Sequence, residues 1–439
     1  MEILSLGEKI KYKRKELDMT LKDLAGDKVT PGQISLVESG KSKPSMDLLE
    51  YIAEKLNVSI DYILETENHQ AERLCKYYLK ISEASILMGN YEQAAEAINM
   101  NMAYATKYNI ESLIGLGILY RGKIDYFEGN YKDAHSSFIT ANEIFLRNSE
   151  NDHIIETYLF LGMTTYELSC YEVSLNFFKQ AEKIINENNI INDDMLAKIY
   201  FNISKCCLKL KNYNGTIDYA LLAMNKYKKK SDKFQYGQSL LMLSLSYHSL
   251  DRFSEATKFA DEAIQIFKEL DDKKFVAKME TNMGVILSQV GNIEESFVHL
   301  NNSYDIKLGI DDDTLPYTML KMADNYMKTN DIDKAIEIVN DVIENSIYKT
   351  NCSYVPMSYY YLYKLYILKK DSKKAELYML AGIKYIESSD MKKELAFMYI
   401  TISDFYEKQN NFKKAIDYKD KGIGLYKNLN DFFEIELVE

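Results

Sequence analysis

Nine times between residues 91 and 412 the chain sets an anchor position and, three positions later, a small residue. The anchors are Tyr91, Tyr131, Tyr171, Tyr213, Phe253, Ile293, Ile332, Ser372 and Phe412, spaced by 39 to 42 residues. The small residues that follow are Ala94, Ala134, Ser174, Thr216, Ala256, Ser296, Ala335, Ala375 and Ala415. Twelve positions before each of these stand Ser82, Gly122, Gly162, Ser204, Ser244, Gly284, Ala323, Tyr363 and Ser403, small in eight of nine cases. Seven positions after come Asn101, Ala141, Ala181, Ala223, Ala263, Ser303, Val342, Gly382 and Gly422. Small side chains at fixed offsets let two antiparallel helices, and the first helix of the next pair, approach closely. The pattern therefore predicts an all-α solenoid. Tyr363 breaks the small-residue rule and Ser372 replaces an anchor, so with Pro356 nearby a local distortion, and a bend of the stack, is expected over 355–375.

The period stops near residue 72, and residues 1–66 follow another pattern. In residues 6–17 Leu6, Ile10 and Leu17 fall on one helical face, with five cations between Lys9 and Lys15 on the others. Thr20 is placed to cap a short helix whose Leu21 and Leu24 point inward and whose Gly26 suits a turn. A second short helix starts from a Thr30 cap with Pro31 at its first position, where the missing N–H costs nothing. Its buried stripe is Ile34 and Val37, and Gly40 ends it ahead of Lys41, Lys43 and Pro44. Ser45 and Ser59 open a fourth and a fifth helix. Two domains follow: residues 1–66, and a repeat domain over 72–439.

Composition changes this picture little. With 46% hydrophobic and 27% charged residues the chain reads as folded throughout. The net charge of −12 does not preclude a nucleic-acid partner, because a locally basic face suffices. The five cysteines, Cys75, Cys170, Cys206, Cys207 and Cys352, are scattered, and the N-terminus has no continuous apolar stretch. A reduced, cytoplasmic protein with no metal, no cofactor and no membrane segment is expected. Enzymatic activity is not expected either, since no glycine-rich phosphate loop or nucleophile–base constellation is present.

The N-terminal segment resembles the Cro/repressor type of helix-turn-helix, through LKDLA at 21–25 and VTPGQISLVESGKSKPS at 29–45. The resemblance implies a five-helix domain whose third helix enters the major groove of double-stranded DNA. Base contacts then fall to the N-terminal residues of that helix, Thr30, Pro31, Gly32, Gln33 and Leu36, with Gln33 suited to adenine and Leu36 to a thymine methyl. Lys9, Lys13, Arg14, Lys41 and Lys43 are assigned to phosphates. Where that family often carries a phosphate-binding glutamine this chain has Leu21. So few cations should bind weakly alone, and a homodimer on a pseudo-palindromic operator is expected.

The repeats resemble the tetratricopeptide pattern, stretched from 34 to about 40 residues, which implies a right-handed superhelix of about nine repeats with a concave groove. In the column just before the small one, otherwise apolar, Arg121 stands out. Groove positions are assigned to Tyr126, Tyr166, Lys198, Asn202, Lys205, Gln238, Met242, His248, Lys278 and Asn282, and Arg121 is added to them. Asn202 and Asn282 recur in register and could clamp the backbone of an extended peptide, while the lysines suit its carboxylates. A Cro-type head on such repeats resembles the RRNPP family of Gram-positive quorum-sensing regulators. That resemblance implies a transcription regulator controlled by a short linear signalling peptide. The alternative is a repeat domain that acts by sequestering a response regulator of a sporulation pathway.

Overall fold

The computed structural model describes residues 3–348, 352–387, 389 and 391–428, and every regular element within them is helical. The chain divides into two compact units, residues 1–210 and 211–439. The first opens with five short helices, α1 (Leu6–Glu16), α2 (Leu21–Ala25), α3 (Pro31–Glu38), α4 (Met46–Lys55) and α5 (Ile60–Leu64). Each starts at a hydroxyl cap, Ser5, Thr20, Thr30, Ser45 and Ser59, whose oxygen accepts the N–H of the third helical residue. Such caps matter here because helices of five to eleven residues are marginal alone. Ile10, Leu24, Ile34, Val37, Leu49, Ile52, Leu56 and Ile63 form the common core. Leu17, placed on the buried face by its spacing, is instead 46% exposed, because the helix ends at Glu16 and Leu17 is its C-cap. At Gly7 the backbones of α1 and α3 nearly touch: a Cβ there would stand 2.5 Å from the carbonyl oxygens of Val37 and Glu38.

The repeats of the first unit are α6 (Glu67–Leu87), α7 (Tyr91–Lys107), α8 (Glu111–Phe127), α9 (Tyr131–Asn148), α10 (Asn151–Glu167), α11 (Tyr171–Glu187) and α12 (Asp193–Lys209). Those of the second begin with α13 (Tyr213–Lys230), α14 (Lys233–Ser249), α15 (Phe253–Glu269), α16 (Lys273–Gln289) and α17 (Ile293–Gly309). They continue with α18 (Leu315–Lys328), α19 (Ile332–Tyr348), α20 (Val355–Leu368), α21 (Ser372–Ile386), α22 (Lys392–Lys408) and α23 (Phe412–Asn428).

A typical helix has 17 residues, so with a three-residue link the 40-residue period is two half-periods of 20. Most of the links use one closure. A left-handed residue, such as Gly89, Asn109, Gly129, Ser149 or Ser169, ends the helix. The next N–H then reaches back five residues, as from Asn90 to the Ser85 carbonyl (2.8 Å) and Cys170 to that of Thr165 (2.9 Å).

The two small columns meet face to face. Ser82 Oγ donates to the Ala94 carbonyl (3.3 Å), Ser244 Oγ to that of Ala256 (3.0 Å) and Ser403 Oγ to that of Ala415 (2.8 Å). Where the first helix carries glycine the donor switches sides: Ser174 Oγ reaches the Gly162 carbonyl (2.6 Å) and Ser296 Oγ that of Gly284 (2.5 Å). In the expected distorted region α20 has only 14 residues, with Pro356 in its first turn, and outside that region α18 is equally short, with Pro316 in its first turn. Pro356 starts a helix there and does not bend one, since its missing N–H lies where no intrahelical partner exists. Tyr363 tilts edge-on to Phe405, 5.8 Å between ring centres, in place of a small contact.

The close approach sets a test. A methyl on Gly162 would lie 2.5 Å from the ring of Phe178, which is fully buried. Gly162→Ala should therefore destabilise the first unit by roughly 1–3 kcal/mol in urea unfolding. Gly309→Ala, with nothing within 4 Å, should be neutral or slightly stabilising.

Candidate nucleic-acid interface and ligand groove

Helix α3 shows two faces. Ile34 and Val37 are buried, while Pro31, Gly32, Gln33, Ser35 and Leu36 are exposed. Thr30 and Gln33 form a reciprocal cap: Gln33 N–H donates to Thr30 Oγ1 (3.2 Å), and the Thr30 N–H donates to Gln33 Oε1 (3.0 Å). That leaves the Gln33 amide N–H₂ directed away from the helix end. Lys41 and Lys43 are exposed just beyond α3, after the left-handed Gly40. Lys13 is partly exposed and paired with Glu16 (2.5 Å).

Two of the cations assigned to phosphate do something else. Lys9 is 2% exposed; its Nζ donates to the carbonyls of Tyr62 (2.8 Å) and Glu65 (2.5 Å). Burial pulls its pKa below the ordinary lysine value. Arg14 spans from α1 to α3, bonding both carboxylate oxygens of Glu38 (2.6 and 3.0 Å) and the Met19 carbonyl (2.7 Å). The phosphate assignments of Lys9 and Arg14 are therefore corrected: both hold the five-helix domain together, since a buried cation needs fixed acceptors. The domain is also tied to α6, where Gln70 exchanges hydrogen bonds with the Leu4 backbone (3.1 and 2.8 Å).

Of the groove assignments, six lie in the first unit. Arg121 is exposed on α8, and Asp125, one turn on, feels its charge, although burial keeps that carboxyl above its ordinary pKa. Tyr126 packs among Phe127, Tyr131 and Phe160. Lys205 places its Nζ 4.3 Å from the Tyr166 ring centre, and burial lowers its pKa. Asn202 Nδ2 donates to the Lys198 carbonyl (2.8 Å), within its own helix.

The remaining five lie in the second unit. Gln238 and Met242 are half-buried on α14, and His248 bonds Gln289, with burial pulling its pKa down. Only Lys278 and Asn282 line the cavities described here. One, of about 290 Å³, lies among α16, α17 and α18 and is lined by Lys274, Phe275, Lys278, Thr281, Asn282, Lys307, Asp312, Thr314, Tyr317 and Tyr354. The other, of about 680 Å³, shares Tyr317 and Tyr354 with it and continues along α18, α20 and α22 to Phe397. Its walls carry Tyr360, Tyr361, Met357 and Met327, with Lys321, Asp324, Lys328 and Lys364 as polar groups. Tyr361 donates to Asp324 (2.8 Å), and Lys328 Nζ to the Ser288 carbonyl and hydroxyl (2.8 and 2.9 Å). These residues were not singled out by groove position, because the assignment concentrated on the middle repeats. The available signal was the tyrosine run at 359–363 beside two proline-started short helices.

Lys307 is the least expected of these residues. It is 3% exposed on α17, yet among the described residues no carboxylate lies within ion-pair distance of it: its Nζ contacts Thr318 Oγ1 (2.9 Å), Thr281 Oγ1 (3.2 Å) and the Thr314 carbonyl (3.4 Å). Burial drives its pKa down to about 8.

A profile described as "Helix-turn-helix" matches residues 10–63, and one described as "Tetratricopeptide repeat" matches residues 317–346. The chain is similar to the transcriptional activator NprA of Geobacillus stearothermophilus, 21% identical over 419 residues that cover 91% of this chain and 98% of that protein. It is 26% identical to the regulatory protein RapG of Bacillus subtilis (strain 168) over 147 residues, 33% of this chain and 40% of RapG. The fold matches the apo form of RapI with a TM-score of 0.60 at 15% identity, covering 81% of this chain and 98% of that one. It also matches the apo quorum sensor NprR from B. thuringiensis, with a TM-score of 0.57 at 14% identity over 81% and 99% of the two chains. A helix-turn-helix followed by tetratricopeptide-type repeats, with relatives of this kind, is consistent with the RRNPP family.

The buried lysine generates a stability test. Its folded pKa near 8 lies below the ordinary 10.5, so the folded chain gives up this proton more readily than the unfolded one. The cost of burial is thus full below about pH 8 and is relieved as pH rises toward 10.5. Lys307→Met should raise the unfolding midpoint of the second unit by a few degrees at pH 7, and the advantage should shrink by pH 10.

Proposed function

We propose that the chain is a transcription regulator, with α3 reading an operator in double-stranded DNA and the repeats binding a short peptide that controls it. The observation that carries the first half is α3 itself. Its outward face is uncharged, capped and free of packing duties, with exposed lysines at its far end rather than on it. That is the arrangement of a helix whose polar and apolar side chains meet base edges while flanking cations meet phosphates. Lys13, Lys41 and Lys43 are the phosphate contacts in this reading, and Thr30, Gly32, Gln33 and Leu36 the base-side set. With so few cations, a homodimer on two half-sites supplies the affinity.

The second half rests on the aromatic-walled cavity of the second unit, long enough for several residues of an extended chain and lined by both hydroxyls and charged groups. Similarity to a transcriptional activator along nearly its whole length, and to the fold of a quorum sensor, supports the same reading. In the first unit, Tyr166, Lys198, Asn202 and Lys205 remain proposed peptide contacts, together with Arg121 and Tyr126. In the second, Gln238, Met242, His248, Lys278 and Asn282 are proposed.

The DNA half is checked by gel-shift titration against operator fragments selected from random duplexes. Gln33→Ala with Leu36→Ala should cost roughly 10- to 100-fold in operator affinity and leave nonspecific binding in place. Lys41→Ala with Lys43→Ala should reduce the slope of log affinity against log salt by about 2. Operator affinity unchanged in both pairs would sink the DNA reading and leave the repeats as a protein-binding surface, such as one that sequesters a response regulator.

A further inference from the structure

Counted from the small residue of each repeat, the position eleven later on the second helix is Ala105, Phe145, Ile185, Tyr227, Phe267 and Ile386 in six repeats, each at most 3% exposed, and Ser346 and Tyr426 in two others. In one repeat that core position is Lys307. Fifteen positions before the small residue the first helices carry buried Leu79, Leu119, Leu159, Leu241 and Leu320 and half-buried Phe201, Tyr360 and Ile400; in the same repeat as Lys307 the residue is Thr281. Two core positions of a single repeat have thus become polar together, and their side chains bond each other at 3.2 Å. Burying an ammonium among neutral hydroxyls weakens the fold, since each of its partners gives less than a carboxylate would. Packing gives no reason for the exchange.

The small cavity beside them does. Its lining holds three ammonium groups, Lys274, Lys278 and Lys307, against one carboxylate, Asp312. One oxygen of that carboxylate accepts from the Thr314 N–H (2.8 Å) and hydroxyl, and its single charge is shared between Lys307 and Lys274. Asn282 Nδ2 is buried at the same cavity with no hydrogen-bond acceptor among the described residues. A buried amide donor without an acceptor costs free energy unless something supplies one. An excess of positive charge next to an unused N–H donor specifies a compact anion with planar acceptor oxygens. Tyr317 and Tyr354 line this cavity and the larger one alike, so an extended chain lying in the larger can place one group in the smaller.

We propose that the Asn282–Lys307 cavity is a carboxylate subsite, which takes a carboxylate carried by the peptide whose main chain occupies the adjoining aromatic cavity. The proposal rests on the peptide-binding reading given above and adds the chemistry that selects the peptide. Asn282 Nδ2 donates to one oxygen, Lys307 supplies the buried charge, and Lys274 and Lys278 draw the anion in from the rim. A C-terminal carboxylate and an aspartate or glutamate side chain present the same group, so the test separates them.

The probes are three mixtures of seven-residue peptides, selected on the immobilised full chain and counted by mass spectrometry. The first has free C-termini and no Asp or Glu; the second has amidated C-termini and one Glu at varied positions; the third is amidated and free of acids. One of the two acidic mixtures should be retained at least about tenfold over the third, and which one identifies the source of the carboxylate. Asn282→Asp keeps the shape and adds a like charge; it should bring that ratio to about 1. Lys307→Met should lower it similarly, with a thermal melt showing that the variant is folded. Equal retention of all three mixtures overturns the subsite while peptide binding stands. Acid-selective retention that survives both substitutions places the carboxylate elsewhere and overturns it as well. Retention of no mixture removes the peptide reading itself, and the subsite with it.

Discussion

The fold depends on one contact made over and over: two antiparallel helices touching at a pair of small residues twelve positions apart. At that separation no side chain fits between the backbones, and a serine hydroxyl on either helix can reach the facing carbonyl. The donor can come from the first helix, as at Ser82, Ser244 and Ser403, or from the second, as at Ser174 and Ser296, but the bond is the same. The contact fixes how near the helices lie, and the large side chains at intervening positions then fill what space remains. Most helix ends in the repeats are closed by a left-handed residue and a backbone bond five residues back, which commonly returns the chain within three residues. Spacing and closure together make the 20-residue unit.

Departures from that unit are where binding capacity arises. Two first helices of the second unit have 14 residues where most repeat helices have 17, and each carries a proline as its second residue. Tyrosines there replace smaller or aliphatic side chains, and the larger cavity opens along them. Next to it, one repeat gives up two apolar core positions to Thr281 and Lys307. In the N-terminal domain the reverse has happened: cations that could face a ligand, Lys9 and Arg14, were drawn inside to brace the helices that present α3. Charge serves structure in the head and lies against an open cavity in the repeats.

Much of this was legible from residue identities. Hydroxyl residues ahead of short apolar runs marked Thr20, Thr30, Ser45 and Ser59 as caps, because capping depends only on local chain geometry. The three small columns marked the helix pairs, because close approach excludes large side chains whatever the surroundings. Lys9 and Arg14 were misread for a related reason. A lysine and an arginine on a basic helix look the same whether they face solvent or reach to other helices of their own domain, and the acceptors that decide, the Tyr62 and Glu65 carbonyls and Glu38, are 24 to 56 residues away. The column before the small residues singles out Arg121, which is exposed, whereas Lys307 stands in a column eleven positions beyond them whose members are mostly apolar.

What the sequence determined by itself was what local geometry and period set: helix starts and stops, and the pairing of helices. Those follow from interactions within a few residues or from offsets repeated nine times, so they survive without knowledge of the whole. Only the tertiary structure decided which cations are buried, which donors lack acceptors, and where cavities open. Each of those is a difference between long-range packing and solvent, and it is settled by neighbours that sequence distance does not reveal.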